Sequence, residues 1–233
     1  MQPAELVGHA ILPAPSFSAP PKDAPFDAFV TGKFLRADAR VEVPLSVPGP
    51  LGMPTPFLGQ PMQGLSGFAE QRHGDGSLYG VLDNGFGAKL NSPDILLSFV
   101  RLRPNFDTGS VEVVERVWLH DPDHLVPFRI AYEGTARRYL TGADFDPESL
   151  QVIGDEVWIG DEFGPYLISA TLEGRITGVY PTTLDGEILR SPDHPALRVG
   201  VRPGEHWRVP RSGGFEGLLL QDGMLWAMLE KPI

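Results

Sequence analysis

Apolar and polar residues alternate along most of this chain in short runs rather than in helical turns. The period-two pattern predicts strands at Leu78–Leu82, Ile95–Leu102, Val111–Leu119, Glu156–Ile159, Tyr166–Leu172, Ile176–Tyr180, Leu218–Leu220 and Leu225–Leu229. Two further candidates come earlier: Val41–Val47, whose alternation is weakened by Pro44, and an edge strand at Val7–Leu12. Gly, Asp, Asn and Pro stand between the runs, as tight turns require. No segment sustains a 3.6-residue period for three turns, so the chain reads as nearly all β. Residues 1–25 carry repeated prolines and read as an extended lead-in, and residues 26–233 as the folded domain.

Composition narrows the partners. With 27 glycines and 24 prolines among 233 residues, many turns join short strands. The net charge of −11 argues against a phosphate-neutralising basic stripe, so nucleic acid is not an expected partner. There is no cysteine, which excludes disulfides, thiolate metal sites and a cysteine nucleophile. No apolar run approaches the ~18–20 residues that span a bilayer, and the first 25 residues lack the basic-then-apolar layout of a signal peptide.

Internal repetition is the most informative feature. Three segments share one layout: Gly64–Phe68 leading to Gly76–Asn84, Asp146–Leu150 leading to Gly154–Glu162, and Gly214–Leu218 leading to Asp222–Glu230. Each is a short strand, a Gly/Asp turn, a strand with an aromatic near its start, and an acidic residue at its end. Paired strands repeated at about 65–80 residues resemble the inner hairpins of β-propeller blades; a β-sandwich with similar hairpins is the competing reading. The tryptophans Trp118, Trp158, Trp207 and Trp226 are expected to pack between blades.

Aligned this way, carboxylates fall at two matched places. The loop entering each unit carries Glu148 and Glu216, with Ser66 in the first unit's slot; the end of the following strand carries Asp83, Asp161 with Glu162, and Glu230. In a propeller these ends point towards one mouth, where crowded carboxylates repel unless a cation sits among them. Oxygen-only ligands suit Ca²⁺ or Mg²⁺ rather than zinc. The competing reading is that Asp and Glu beside Gly serve turns alone. Asn84 and Asn91 read either as carbonyl ligands or, for Asn84-Gly85, as a turn. Gly64-Leu65-Ser66-Gly67 is not a nucleophile elbow, because the second glycine comes one position early. His120-Asp121-Pro122-Asp123-His124 reads as a polar loop.

Residues Gly59–Gly67, the Asp83-Asn84-Gly85-Phe86-Gly87 block, Asp144–Ser149, the Asp161-Glu162-Phe163-Gly164-Pro165-Tyr166 block and Gly214–Leu218 occur in an order that resembles the phytase-like family described as "esterase-like activity of phytase". The resemblance covers roughly residues 57–233. It implies a bacterial, β-propeller-like protein, periplasmic or secreted, with repeated Asp/Glu positions and a small phosphorylated substrate. Members are typically longer; at ~50 residues per blade the expectation for this chain is an incomplete ring of four to five blades, a fragment of the family's propeller. The expected chemistry is phosphoester hydrolysis, with Asp83, Glu148, Asp161, Glu162, Glu216 and Glu230 as ligands of Ca²⁺ (or Mg²⁺) and Glu148, Glu216 and Asp161 as the catalytic carboxylates. Lys89, Arg137, Arg138 and Lys231 are the candidate donors to phosphate oxygens. The alternative is a non-catalytic, calcium-stabilised propeller used for binding.

Overall fold

Asp and Gly reverse the chain where the pattern requires it. Gly76, Gly154, Asp222 and Gly223 all take positive φ between paired strands, a conformation that glycine adopts without steric cost and aspartate tolerates. The computed structural model describes residues 4–35, 40–41, 55–195 and 207–233. Its strands are β1 (Phe17–Ser18), β2 (Val30–Thr31), β3 (Phe57–Leu58), β4 (Gln60–Pro61), β5 (Leu65–Arg72), β6 (Leu78–Leu82), β7 (Ser98–Asn105), β8 (Ser110–Trp118), β9 (Pro147–Ile153), β10 (Glu156–Asp161), β11 (Tyr166–Thr171), β12 (Ile176–Pro181), β13 (Thr183–Leu184), β14 (Glu187–Ile188), β15 (Phe215–Gln221) and β16 (Met224–Leu229). The described residues form no α-helix, only short 3₁₀ turns at Phe26–Phe29 and Lys89–Asn91. None of their helices is long and apolar enough to cross a membrane.

The strands assemble into three consecutive antiparallel units: the four-stranded meanders β5-β6-β7-β8 and β9-β10-β11-β12, and the hairpin β15-β16. The first strands of the units lie side by side, β5 along β9 and β9 along β15. The main core is sealed where one face of the first meander meets the second. Phe99 and Val81 from the first sheet and Leu150, Ile159 and Ile168 from the second are all buried there, with Phe145 from the connection. Each such side chain contributes about 1.5–3 kcal/mol on leaving water. A smaller cluster of Leu82, Val100 and Leu102 occupies the opposite face of the first sheet.

Residues 4–35 are tied to this body. β1 pairs with β4 and β2 with β3. Lys33 is buried, its ammonium 3.4 Å from buried Asp94, while the Gln60 amide donates to Ala28 and Asp94 carbonyls and accepts from Leu96 N–H at 2.8 Å. A buried charge persists only with such partners. The predicted strand Val7–Leu12 is reduced to one bridge, Ile11 with Ser110, because the prolines that follow remove ladder donors. Most of Val41–Val47 lies outside the described residues. The predicted run Ile95–Leu102 begins its strand three residues later, at Ser98. Trp118 lies under the Arg116 guanidinium, 4.1 Å from it, and Trp158 stacks on Tyr180. Trp226, expected between units, is instead exposed.

Candidate metal centre

A β-bulge at the same place in each unit aims the site. Leu65 faces Leu82 while Gly67 faces Val81; Pro147 faces Asp161 while Ser149 faces Gly160; Phe215 faces Leu229 while Gly217 faces Met228. The residue left over is Ser66, Glu148 or Glu216. An unpaired bulge residue bends its strand and re-aims its side chain. The residue that follows the second strand is Asp83, Glu162 or Glu230, and its N–H donates across to the carbonyl of Gly64, Asp146 or Gly214 at 2.8, 2.8 and 2.9 Å. Around the bulge and the closing hydrogen bond, the three hairpins thus match residue for residue.

Close approach between units gathers these positions. A Cβ on Gly67 would lie 2.8 Å from the Glu148 carbonyl oxygen and 2.9 Å from the Ser149 Cα, so glycine there lets β5 settle against β9. Gly64, at φ +68, leaves the space that the Asp83 carboxylate fills. Carboxylate oxygens of Asp146, Glu148 and Glu162 lie within 4.8 Å of one another, and so do those of Glu162, Glu216 and Glu230. Glu162 belongs to both groups.

Burial and mutual charge dominate the electrostatics. Burial, with the charges of Glu148, Asp83 and Glu162, pushes Asp146 up to about 9, although Asn84 donates to it from N–H at 3.0 Å and from its amide at 2.8 Å. Glu148 is pushed up to about 7 by burial and by Glu216 and Asp83, opposed by hydrogen bonds from Ser66 and Asp146. Glu162 reaches about 7 through burial and the charges of Glu148, Glu216 and Glu230. Glu216 is raised by burial and Glu230, with Lys231 acting the other way. Asp83 is raised to about 6 by burial, against the Gly85 N–H at 2.7 Å. Carboxylates shifted upward together favour either shared protons or a cation.

The sequence-derived candidates divide. Glu148, Glu162, Glu216 and Glu230 come together, with Asp83 beside them. Asp161 takes the position of Leu82 and Leu229 rather than that of Asp83 and Glu230. It is fully buried and accepts from the N–H groups of Asp146 (2.8 Å), Phe163 (3.2 Å) and Gly164 (2.7 Å). Lys231 stands at the rim, 3.6 Å from Glu230, its ammonium donating to the Arg211 and Ser212 carbonyls. Lys89 lies 3.5 and 3.4 Å from the Asp193 and His194 carbonyls and senses the charges of Asp144, Asp193 and Asp161, while burial lowers its pKa.

Arg137 pairs with Asp23 and contacts His120. Arg138 is buried among Asp121, Glu133 and His124. Neither contacts the carboxylate group. Asn84 is a turn residue that binds Asp146 and accepts from Gly87 N–H, and Asn91 binds the Phe86 carbonyl. The His120–His124 segment is a turn around buried Asp121, which accepts from Leu125 and Val126 N–H. Sequence reasoning missed Asp146 as a member of the cluster. Its signal was present in the Asp144-Phe145-Asp146 block, but recurrence hid it, because the matched positions are Gly64 and Gly214.

The donors gathered on this all-antiparallel scaffold are carboxylate oxygens, the ligand type that hard cations take. The donor set fits Ca²⁺, whose oxygen ligands at about 2.3–2.6 Å can stand up to about 5 Å apart across the ion. The family model described as "Esterase-like activity of phytase" matches residues 60–233, and the chain belongs to this phytase-like family. Comparisons with curated proteins and with solved structures return no match.

Proposed function

We propose that this protein is a divalent-cation-dependent phosphoric ester hydrolase acting on a small phosphorylated substrate, with its units stacked as propeller blades are. One observation carries the reading: Glu162 is shared by two groups of three carboxylates whose oxygens lie within 4.8 Å, an arrangement that repels anionic substrate unless positive charge is added. Family membership supports the reaction class. Asp146, Glu148 and Glu162 would hold one calcium ion, with Glu162, Glu216 and Glu230 as the adjoining position; magnesium is the second candidate. A bound cation neutralises phosphate charge and lowers the pKa of a coordinated water.

The protein's own groups do the rest. Glu216 is the more accessible of the two bulge carboxylates and suits the role of base towards water, with Glu148, half-buried, as the second candidate. Asp161 acts through position, its oxygens fixing the N–H of Asp146 and the turn at Phe163-Gly164. Lys231, at the rim beside Glu230, is the first candidate donor to phosphate oxygens, and Lys89 the second. A periplasmic or secreted location, implied by the family resemblance, accords with a calcium site of extracellular affinity.

The test is hydrolysis of an aryl phosphomonoester and a phosphodiester with calcium and after chelation, alongside thermal unfolding. Calcium-dependent turnover that Glu216→Gln removes while the melting temperature stays near wild type is the expected result. A calcium-dependent rise in melting temperature with no turnover by the wild type would replace the enzyme with a calcium-stabilised binding module.

A further inference from the structure

The N-terminal segment is fastened to the sheet body through one buried pair of opposite charges. Lys33 is 1% exposed and Asp94 is fully buried, although 61 positions of sequence separate them. The Lys33 side-chain nitrogen donates to the Asp27 carbonyl at 2.5 Å and to the Val30 carbonyl. It lies 3.4 Å from Asp94 Oδ2 and 3.6 Å from Asp27 Oδ1. The backbone N–H of Lys33 donates to the same Asp94 Oδ2 at 3.0 Å.

The other half of the carboxylate is bare. Among the described residues, Asp94 Oδ1 is buried with no hydrogen-bond partner, and so is the Tyr132 hydroxyl, which feels the charges of Asp27 and Asp94. Ala28 and Leu96, close to the pair in sequence, belong with Tyr132 to an apolar cluster. An ion pair in such surroundings recovers its desolvation cost only when its remaining lone pairs are satisfied. Burial raises the Asp94 pKa, with the Lys33 N–H and charge acting the other way, which favours the neutral acid over the carboxylate.

We propose that Lys33 and Asp94 condense to an amide, an isopeptide bond that joins the N-terminal segment covalently to the sheet body. One proton passes from the ammonium to Oδ1, leaving an amine and a carboxylic acid. The Asp27 and Val30 carbonyls take the two hydrogens of the amine, and its lone pair is left for the Asp94 carboxyl carbon, one bond from Oδ2. The C–N bond forms from that lone pair, while the Lys33 N–H stabilises the charge gathering on Oδ2. Oδ1 leaves with the electrons of the broken C–O bond, its own proton and one from nitrogen, as water. Asp27, paired with Arg40, is the carboxylate within reach to carry that second proton. Oδ2 becomes the amide oxygen. No co-reactant is consumed, and two buried charges disappear.

The mass of the purified full chain, measured under denaturing conditions, tests it. The wild type should weigh one water molecule less than its sequence. Trypsin should leave the bond after Lys33 uncut and release residues 23–36 joined to residues 90–101. Lys33→Arg and Asp94→Ala should each show the full sequence mass, whether or not they fold as well as the wild type. A folded wild type that keeps its full mass through prolonged incubation at neutral pH overturns the proposal and leaves a plain ion pair. So does a water loss confined to one peptide, as ring closure at Asp185-Gly186 would give, and so does a water loss that persists in Lys33→Arg. Neither calcium nor turnover enters the readout, so failure here is distinct from failure of the hydrolase reading.

Discussion

The second unit and the third share a bulge, a register and a closing hydrogen bond, yet they treat their carboxylates differently. In the second, Asp146 occupies the place of Gly214, Asp161 that of Leu229, and two more strands cover the hairpin. Burial and neighbouring charge drive Glu148 to about 7. In the third, Glu216 is exposed and its upward shift is opposed by Lys231. The backbone decides where a carboxylate stands, and the neighbours decide whether it keeps its proton. On the proposed function, the buried unit would hold the cation and the exposed one would admit substrate.

The sharpest way to break this division is Glu162→Gln, which removes the oxygen shared by both groups. Calcium affinity by calorimetry and calcium-dependent turnover should both fall by on the order of 100-fold or more; an unchanged affinity would show that Glu162 holds no cation. Next comes Gly64→Ala, which forces a methyl onto the Asp83 carboxylate at positive φ. A loss of about 2–4 kcal/mol in denaturant unfolding is expected, whereas a loss under about 0.5 kcal/mol would mean that Asp83 simply moves aside.

Proton linkage sharpens the comparison further. Glu148 and Glu162 are pushed up to about 7 from an ordinary value of 4.5, so the cation-free folded state binds more protons than the unfolded chain between those values. Their contribution to stability is complete below pH 4.5 and is lost as pH rises through about 7. The melting temperature of the chelated protein should therefore drop across that interval, and added calcium should reverse the drop while its affinity climbs. A flat profile would remove the buried protons from the account. The smallest effect belongs to Arg137→Ala, an exposed pair with Asp23 outside the cluster. Stability should stay within about 0.5 kcal/mol and KM within error, and a marked rise in KM would return Arg137 to the substrate.

Much of this was legible in the chain itself. Period-two alternation and Gly/Asp turns located β6, β8, β10, β11, β12 and β16 closely. Recurrence of acid at the entry to the second and third units singled out Glu148 and Glu216, and recurrence at the end of the following strand singled out Glu162 and Glu230. Asp161 was misassigned because adjacent strand residues face opposite ways, and only the register shows that Glu162, not Asp161, matches Asp83 and Glu230. Asp146 was hidden because a search for repetition overlooks a residue that is acidic in one unit and glycine in the other two. Arg137 and Arg138 follow one another in sequence but turn to separate partners, since Arg138 takes positive φ. Contacts of residues 4–35 with Asp94 and Gln60 are long-range and leave no local periodic mark.

The bulge has a consequence for how such a protein can change. A residue that stands outside the ladder is under little obligation to the fold, so Ser66, Glu148 and Glu216 can occupy one structural address with different chemistries. The strands on either side keep their register whichever of them is present. Reactivity and architecture are written in separate letters of the same segment, and the first can be revised while the second is left alone.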